Sequence, residues 1–117
     1  MTETEIQREI MKTLNARPDC TIYRNNTGAA KMGRRWVKFG VCKGSSDLIG
    51  WTSKTITEEM VGQSVAVFTA IECKSPGCKT SKEQIEFGEL VTNAGGIFAI
   101  SDSTDSATDA IENELKW

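Results

Sequence analysis

The stretch from Ser64 to Lys74 constrains the fold of this chain more than any other. It reads S-V-A-V-F-T-A-I-E-C-K, with apolar residues on both faces, the pattern of a strand in the middle of a sheet. Ser75-Pro76-Gly77 ends it. Two overlapping capping-box patterns follow, Thr80 with Glu83 and Ser81 with Gln84, so a helix is expected from about Ser81 to Ala94, stopped by Gly95-Gly96. Ile97 to Ser101 (I-F-A-I-S) reads as a further strand. Strand, helix and strand in that order imply a parallel pair joined by a right-handed crossover.

The flanking sequence adds elements of both kinds. Ile6, Ile10 and Leu14 recur every four residues, Glu3 and Glu5 suit a helix start, and Thr2 can act as its cap, so Thr2 to Asn15 reads as a helix. Arg17-Pro18-Asp19 breaks it. Cys20 to Arg24 is a short β-rich run, followed by a loop from Asn25 through Gly33. Arg34 to Val41 and Asp47 to Trp51 read as two more strands, in a hairpin or meander. Residues 52–63 read as a surface loop, and Ser103 to Leu115 as a last helix with Ala107, Ala110, Ile111 and Leu115 on its apolar face. The expected order is α-β-β-β-β-α-β-α: one α/β domain spanning 1–117, with a mixed sheet flanked by helices.

Composition narrows the function. With 38% hydrophobic and 26% charged residues, the chain suits neither disorder nor a membrane span. Its N-terminus, M-T-E-T-E-I-Q, lacks the basic-then-apolar layout of a signal peptide, so the expectation is cytoplasmic. There is no histidine, which excludes Ser-His-Asp and Cys-His catalysis and the Cys/His zinc sets. The four cysteines, at 20, 42, 73 and 78, show no C-x-x-C spacing and are expected to be reduced and mostly buried. Chemistry must then come from carboxylates, lysine and a hard metal.

Charge is unevenly distributed. Between Cys20 and Ser46 lie Arg24, Lys31, Arg34, Arg35, Lys38 and Lys43, with no acidic residue, although the whole chain carries a net charge of −2. A basic segment on an acidic protein is a footprint for a polyanion. Lys31, Arg34, Arg35, Lys38 and Lys43 are assigned to nucleic-acid contact, with Lys79 further along. Arg24, Asn25, Asn26 and Thr27 either bind phosphate or shape the turn after their strand. Trp36 reads first as a core or interface residue, and second as a platform on which a base can stack.

Asp47 enters an apolar strand, and Glu72 and Lys74 leave a longer one on a shared face. Two carboxylates with backbone carbonyl and water ligands match Mg²⁺ or Mn²⁺, cations that prefer oxygen. Such a metal polarises a phosphodiester and activates a bound water, which Lys74 can orient, deprotonate or complement in charge. Cys73 would offer its main-chain carbonyl to the metal while its thiol packs behind. The bland alternative is a Glu72–Lys74 ion pair at a strand end.

With these residues in view, the sequence resembles the PD-(D/E)xK nucleases, and within them the virus-type replication-repair nuclease group, VRR-NUC. The resemblance rests on E-T-E-I-Q at 3–7, Y-R-N-N-T-G at 23–28, F-G-V-C-K-G-S-S-D-L-I-G at 39–50, A-I-E-C-K-S-P-G-C-K-T-S-K-E-Q at 70–84 and N-A-G-G at 93–96. It implies that Asp47 and Glu72 bind the metal and that Lys74 is the catalytic lysine. Ser46 stands where the family often has proline. Gln84 resembles a glutamine the family places beside the active site; the competing reading is half of a capping box. The family also has an N-terminal helix glutamate. Of Glu3, Glu5 and Glu9, Glu3 lies on the stripe of Ile6, Gln7, Ile10 and Leu14, and is chosen for this role, reaching the metal through water.

The implied activity is Mg²⁺- or Mn²⁺-dependent hydrolysis of DNA phosphodiesters, without an organic cofactor or a membrane partner. Small stand-alone members resemble Holliday junction resolvases acting as homodimers on branched DNA, and the viral association implies a phage or prophage origin in a host cytoplasm. The rivals are a nuclease of other specificity (flap, nick or duplex) and a non-catalytic DNA-binding module.

Overall fold

The computed structural model describes residues 2–114, so Leu115, expected on the apolar face of the last helix, lies outside the described residues. The chain divides into two compact units, Met1–Thr52 and Ser53–Trp117, each described by itself.

The first unit opens with helix α1 (Glu3–Asn15). Thr2 caps it in a complete capping box: its hydroxyl accepts from Glu5 N at 3.2 Å, and Glu5 Oε2 accepts from Thr2 N at 2.8 Å. The Asn15 side chain then clamps strand β1 (Cys20–Arg24), donating to Ile22 O at 3.1 Å and accepting from Ile22 N at 2.7 Å. Strands β2 (Gly28–Met32) and β3 (Arg35–Phe39) form an antiparallel hairpin, and β4 (Leu48–Thr52) runs antiparallel to β1. The Tyr23 and Trp51 rings meet at 5.8 Å between centroids on the β1–β4 pair.

Strand β2 was expected to be loop. Ala29, Ala30, Lys31 and Met32 carry no β-strand pattern of their own; the strand forms because the two-residue turn at Gly33 and Arg34 folds it onto β3. Gly33 takes φ +64, which puts the left-handed residue first in the turn, as type II′ hairpins require.

The second unit contains a short 3₁₀ turn (Glu58–Met60), strand β5 (Thr69–Cys73), helix α2 (Lys82–Asn93), strand β6 (Ile97–Ser101) and helix α3 (Thr104–Glu114). β5 and β6 are parallel, as a strand–helix–strand unit requires. The strand expected from Ser64 begins only at Thr69, because β6 offers it no partners further upstream beyond the bond from Ile97 N to Phe68 O at 2.8 Å. At its other end the pairing continues past Cys73, where Lys74 N donates to Ser101 O at 3.0 Å. α2 lies against β6: Val91 and Ile97 are buried, and a methyl group on Gly88 would collide with the Phe98 ring. Ser53 Oγ donates to Ala94 O at 2.6 Å and so satisfies a carbonyl at the end of α2.

The described strands therefore pair as three two-stranded sheets of mixed sense rather than one continuous mixed sheet. The described residues form a mixed α/β fold with small sheets and three helices. No described helix is long and apolar enough to cross a membrane.

Candidate active site

Glu72 and Lys74 leave β5 on one face because strand side chains alternate. Lys74 Nζ lies 3.8 Å from Glu72 Oε1, a loose ion pair between two half-buried groups. The same oxygen accepts a shorter bond, 2.6 Å, from Gln84 Nε2 on α2. The other carboxylate oxygen, Oε2, takes neither contact. Both ends of the Gln84 amide are engaged, the nitrogen by Glu72 and the oxygen by the helix cap. Its Oε1 accepts from Ser81 N at 2.9 Å, while Ser81 Oγ accepts from Gln84 N at 3.1 Å, and this capping box locks the first turn of α2. The locked amide then aims its donor at Glu72.

Two cysteine expectations fail. Cys73 is exposed rather than packed behind the strand, and Cys42 and Cys78 are exposed as well; only Cys20 is buried. Cys73 is the last residue of β5, which among the described residues pairs with β6 alone.

In the first unit, Asp47 is exposed at the entry to β4, and its carbonyl accepts from Asn25 N at 2.8 Å. The Asn25 side chain completes a clamp. Its Nδ2 donates to Ser45 Oγ at 2.7 Å and Ser46 O at 2.9 Å, and its Oδ1 accepts from Val41 N at 2.9 Å. Ser45 Oγ in turn donates to Cys42 O at 2.6 Å. Asn25 thus shapes the turn that delivers Asp47 instead of presenting its amide to phosphate. Sequence reasoning gave Asn25 either role locally; the partners lie 16 to 21 residues away, where short-range patterns carry no signal.

Glu3 is exposed in the first turn of α1, with Gln7 half-buried a turn later. Glu5 is engaged in the cap through Oε2. Arg24, Asn26, Lys43 and Lys79 are exposed, and so are Lys31, Arg34, Arg35 and Lys38 along the hairpin. Trp36, first read as a core or interface residue, is 72% exposed.

The donor chemistry suits a hard divalent cation. Glu72 is partly exposed and has one carboxylate oxygen outside both contacts, and Asp47 is an exposed carboxylate. Within either unit, no three His, Cys, Asp or Glu side chains among the described residues converge. Mg²⁺ keeps several waters and can be held by one or two carboxylates plus substrate phosphate, so its binding does not require such a cluster.

Residues 1–105 match the family model described as the VRR-NUC domain. No curated protein and no solved structure matches.

Proposed function

The chain belongs to the VRR-NUC domain family, a family of nucleases, and on that premise we propose that it is a metal-dependent DNA endonuclease acting on branched DNA. The observation that carries the reading is the Glu72–Lys74–Gln84 cluster at the end of β5. A carboxylate held by a fixed amide and flanked by an ammonium is a costly arrangement to keep half-buried for a marginal ion pair. It is a useful one where a phosphodiester must be gripped.

In this reading Glu72, Asp47 and the Cys73 main-chain carbonyl hold Mg²⁺ or Mn²⁺, with Glu3 contributing through water. When bound, the cation supplies polarisation of the phosphodiester and a lowered pKa for water. The chain's own residues do the rest. Gln84 fixes the rotation of the Glu72 carboxylate, leaving Oε2 for the ligand role. Lys74 places a positive charge beside the attacked phosphate, where it complements charge that grows in the transition state and orients the incoming water. The basic residues between Arg24 and Lys43 and Lys79 hold the polyanionic backbone.

Specificity for a Holliday-type junction follows from the proposed homodimer. A two-fold pair of sites matches the symmetry of a four-way substrate. The test is cleavage of four-way junctions, flaps and linear duplex side by side, in Mg²⁺ against EDTA, by wild type and Glu72→Ala. Metal-dependent junction cleavage that disappears in Glu72→Ala supports the proposal. Cleavage of flaps or duplex in preference moves the specificity to the alternative nuclease classes. DNA binding without cleavage by the wild type replaces the enzyme with a binding module.

A further inference from the structure

The β2–β3 hairpin has two chemically different faces. Cross-strand partners share a face, and the register pairs Lys31 with Trp36 and Ala29 with Lys38. One face therefore carries Lys31, Trp36 and Lys38 in a row, with only the small Ala29 beside them. The other carries Phe39, Val37, Ala30 and Met32, ending at Arg35. Every residue of both strands is exposed. Trp36 stands at 72% exposure between two ammonium groups, with Arg34 in the adjoining turn.

We infer that the Lys31–Trp36–Lys38 face binds an unpaired nucleotide of the DNA substrate, with the indole stacked on its base and the lysines on the flanking phosphates. The inference rests on the nuclease reading only for the identity of the polymer. Charge complementarity selects a polyanion. The tryptophan selects among polyanions: a base inside a duplex already has both faces stacked, whereas an unpaired base offers a free π face. Duplex backbone contact would need the lysines alone and would leave a large apolar ring in water for no return. The small Ala29 opposite Lys38 leaves the row open for a planar group to lie flat. The substrate class is thus DNA with unpaired nucleotides, such as a flap or an opened branch point.

The test measures binding in EDTA, where no cleavage occurs, so that it is independent of the nuclease chemistry. Fluorescently labelled oligothymidylate and a perfectly paired duplex of equal length are titrated with wild type, Trp36→Ala, Trp36→Tyr and Lys31→Ala/Lys38→Ala. Trp36→Ala is expected to weaken oligothymidylate binding by roughly 5- to 100-fold, to change duplex binding by less than about 2-fold, and to be largely rescued by Trp36→Tyr, which restores a stacking ring. The double lysine variant is expected to weaken both ligands and to flatten the salt dependence. Equal losses on both DNAs in Trp36→Ala, or no loss on either, would overturn the inference. So would a change in oligomeric state in Trp36→Ala by light scattering, which would make the ring part of a protein interface.

Discussion

Gln84 donates to the Glu72 carboxylate at 2.6 Å while its own carbonyl oxygen accepts from Ser81 N at 2.9 Å. One amide therefore ties the start of α2 to the end of β5. The helix cap fixes the amide, and the amide fixes the carboxylate.

Gln84→Glu separates the two duties. Glutamate serves the capping box as well as glutamine does, so thermal stability is expected to change by less than about 0.5 kcal/mol from the cap. It cannot donate to Glu72, and it adds a like charge beside it. Cleavage is expected to fall roughly 10- to 100-fold, the usual cost of losing a residue that orients a ligand. Melting and cleavage assays on the same preparation test this; parallel loss of both would mean the amide matters only as a cap.

Lys74→Ala is expected to abolish most cleavage, on the order of a 100-fold loss or more for removal of a charge aimed at the transition state. Stability should hardly move. The pair with Glu72 is loose at 3.8 Å and partly exposed, and such pairs contribute less than about 1 kcal/mol. An unchanged rate in single-turnover cleavage would remove Lys74 from the chemistry.

Asn25→Ala strips three hydrogen bonds from the turn before Asp47. Each such bond contributes about 0.5–1.5 kcal/mol net, so the melting temperature is expected to drop and the Val41 amide to lose protection in hydrogen exchange. Activity should fall with it, and more steeply at low metal concentration, if the turn holds Asp47 for a cation. Asn25→Asp keeps the acceptor for Val41 but loses the Nδ2 donors, and is expected to recover the Val41 protection without recovering Ser45.

Gly88→Ala is expected to destabilise the second unit, because the added methyl meets the Phe98 ring where α2 crosses β6. Overpacking of this kind costs about 1–3 kcal/mol. Denaturant unfolding measures it, and pairing with Phe98→Leu should recover part of the loss.

How far these features could be read from the sequence depends on the range of the interactions that make them. The parallel β5–α2–β6 unit was legible because its signals are local: the Ser81–Gln84 cap, the Gly95-Gly96 stop and the apolar strands. The family membership was legible from motifs in order, including Asp47 and the Glu72-x-Lys74 pair. Strand β2 was not, because Ala29 to Met32 become a strand only through β3. Ser64 to Val67 misled in the opposite direction, since an apolar run makes a strand only where a neighbouring strand pairs with it. The capping box and the reach to the β5 carboxylate look like competing readings of Gln84 in the sequence, yet an amide with a donor and an acceptor makes both contacts.

The Asn25 clamp has a consequence for how such a chain can diverge. Asn25 binds Val41 on one side and Ser45, Ser46 and Asp47 on the other, so the chain leaves at residue 26 and returns at residue 41 to a single knot. Everything between is an excursion whose root is tied independently of its tip. The hairpin can gain residues, lose them or exchange its lysines and tryptophan while the backbone presenting Asp47 stays where it is. If the proposed roles hold, that separation lets substrate preference evolve by changes in one appendage while Asp47 is inherited unaltered.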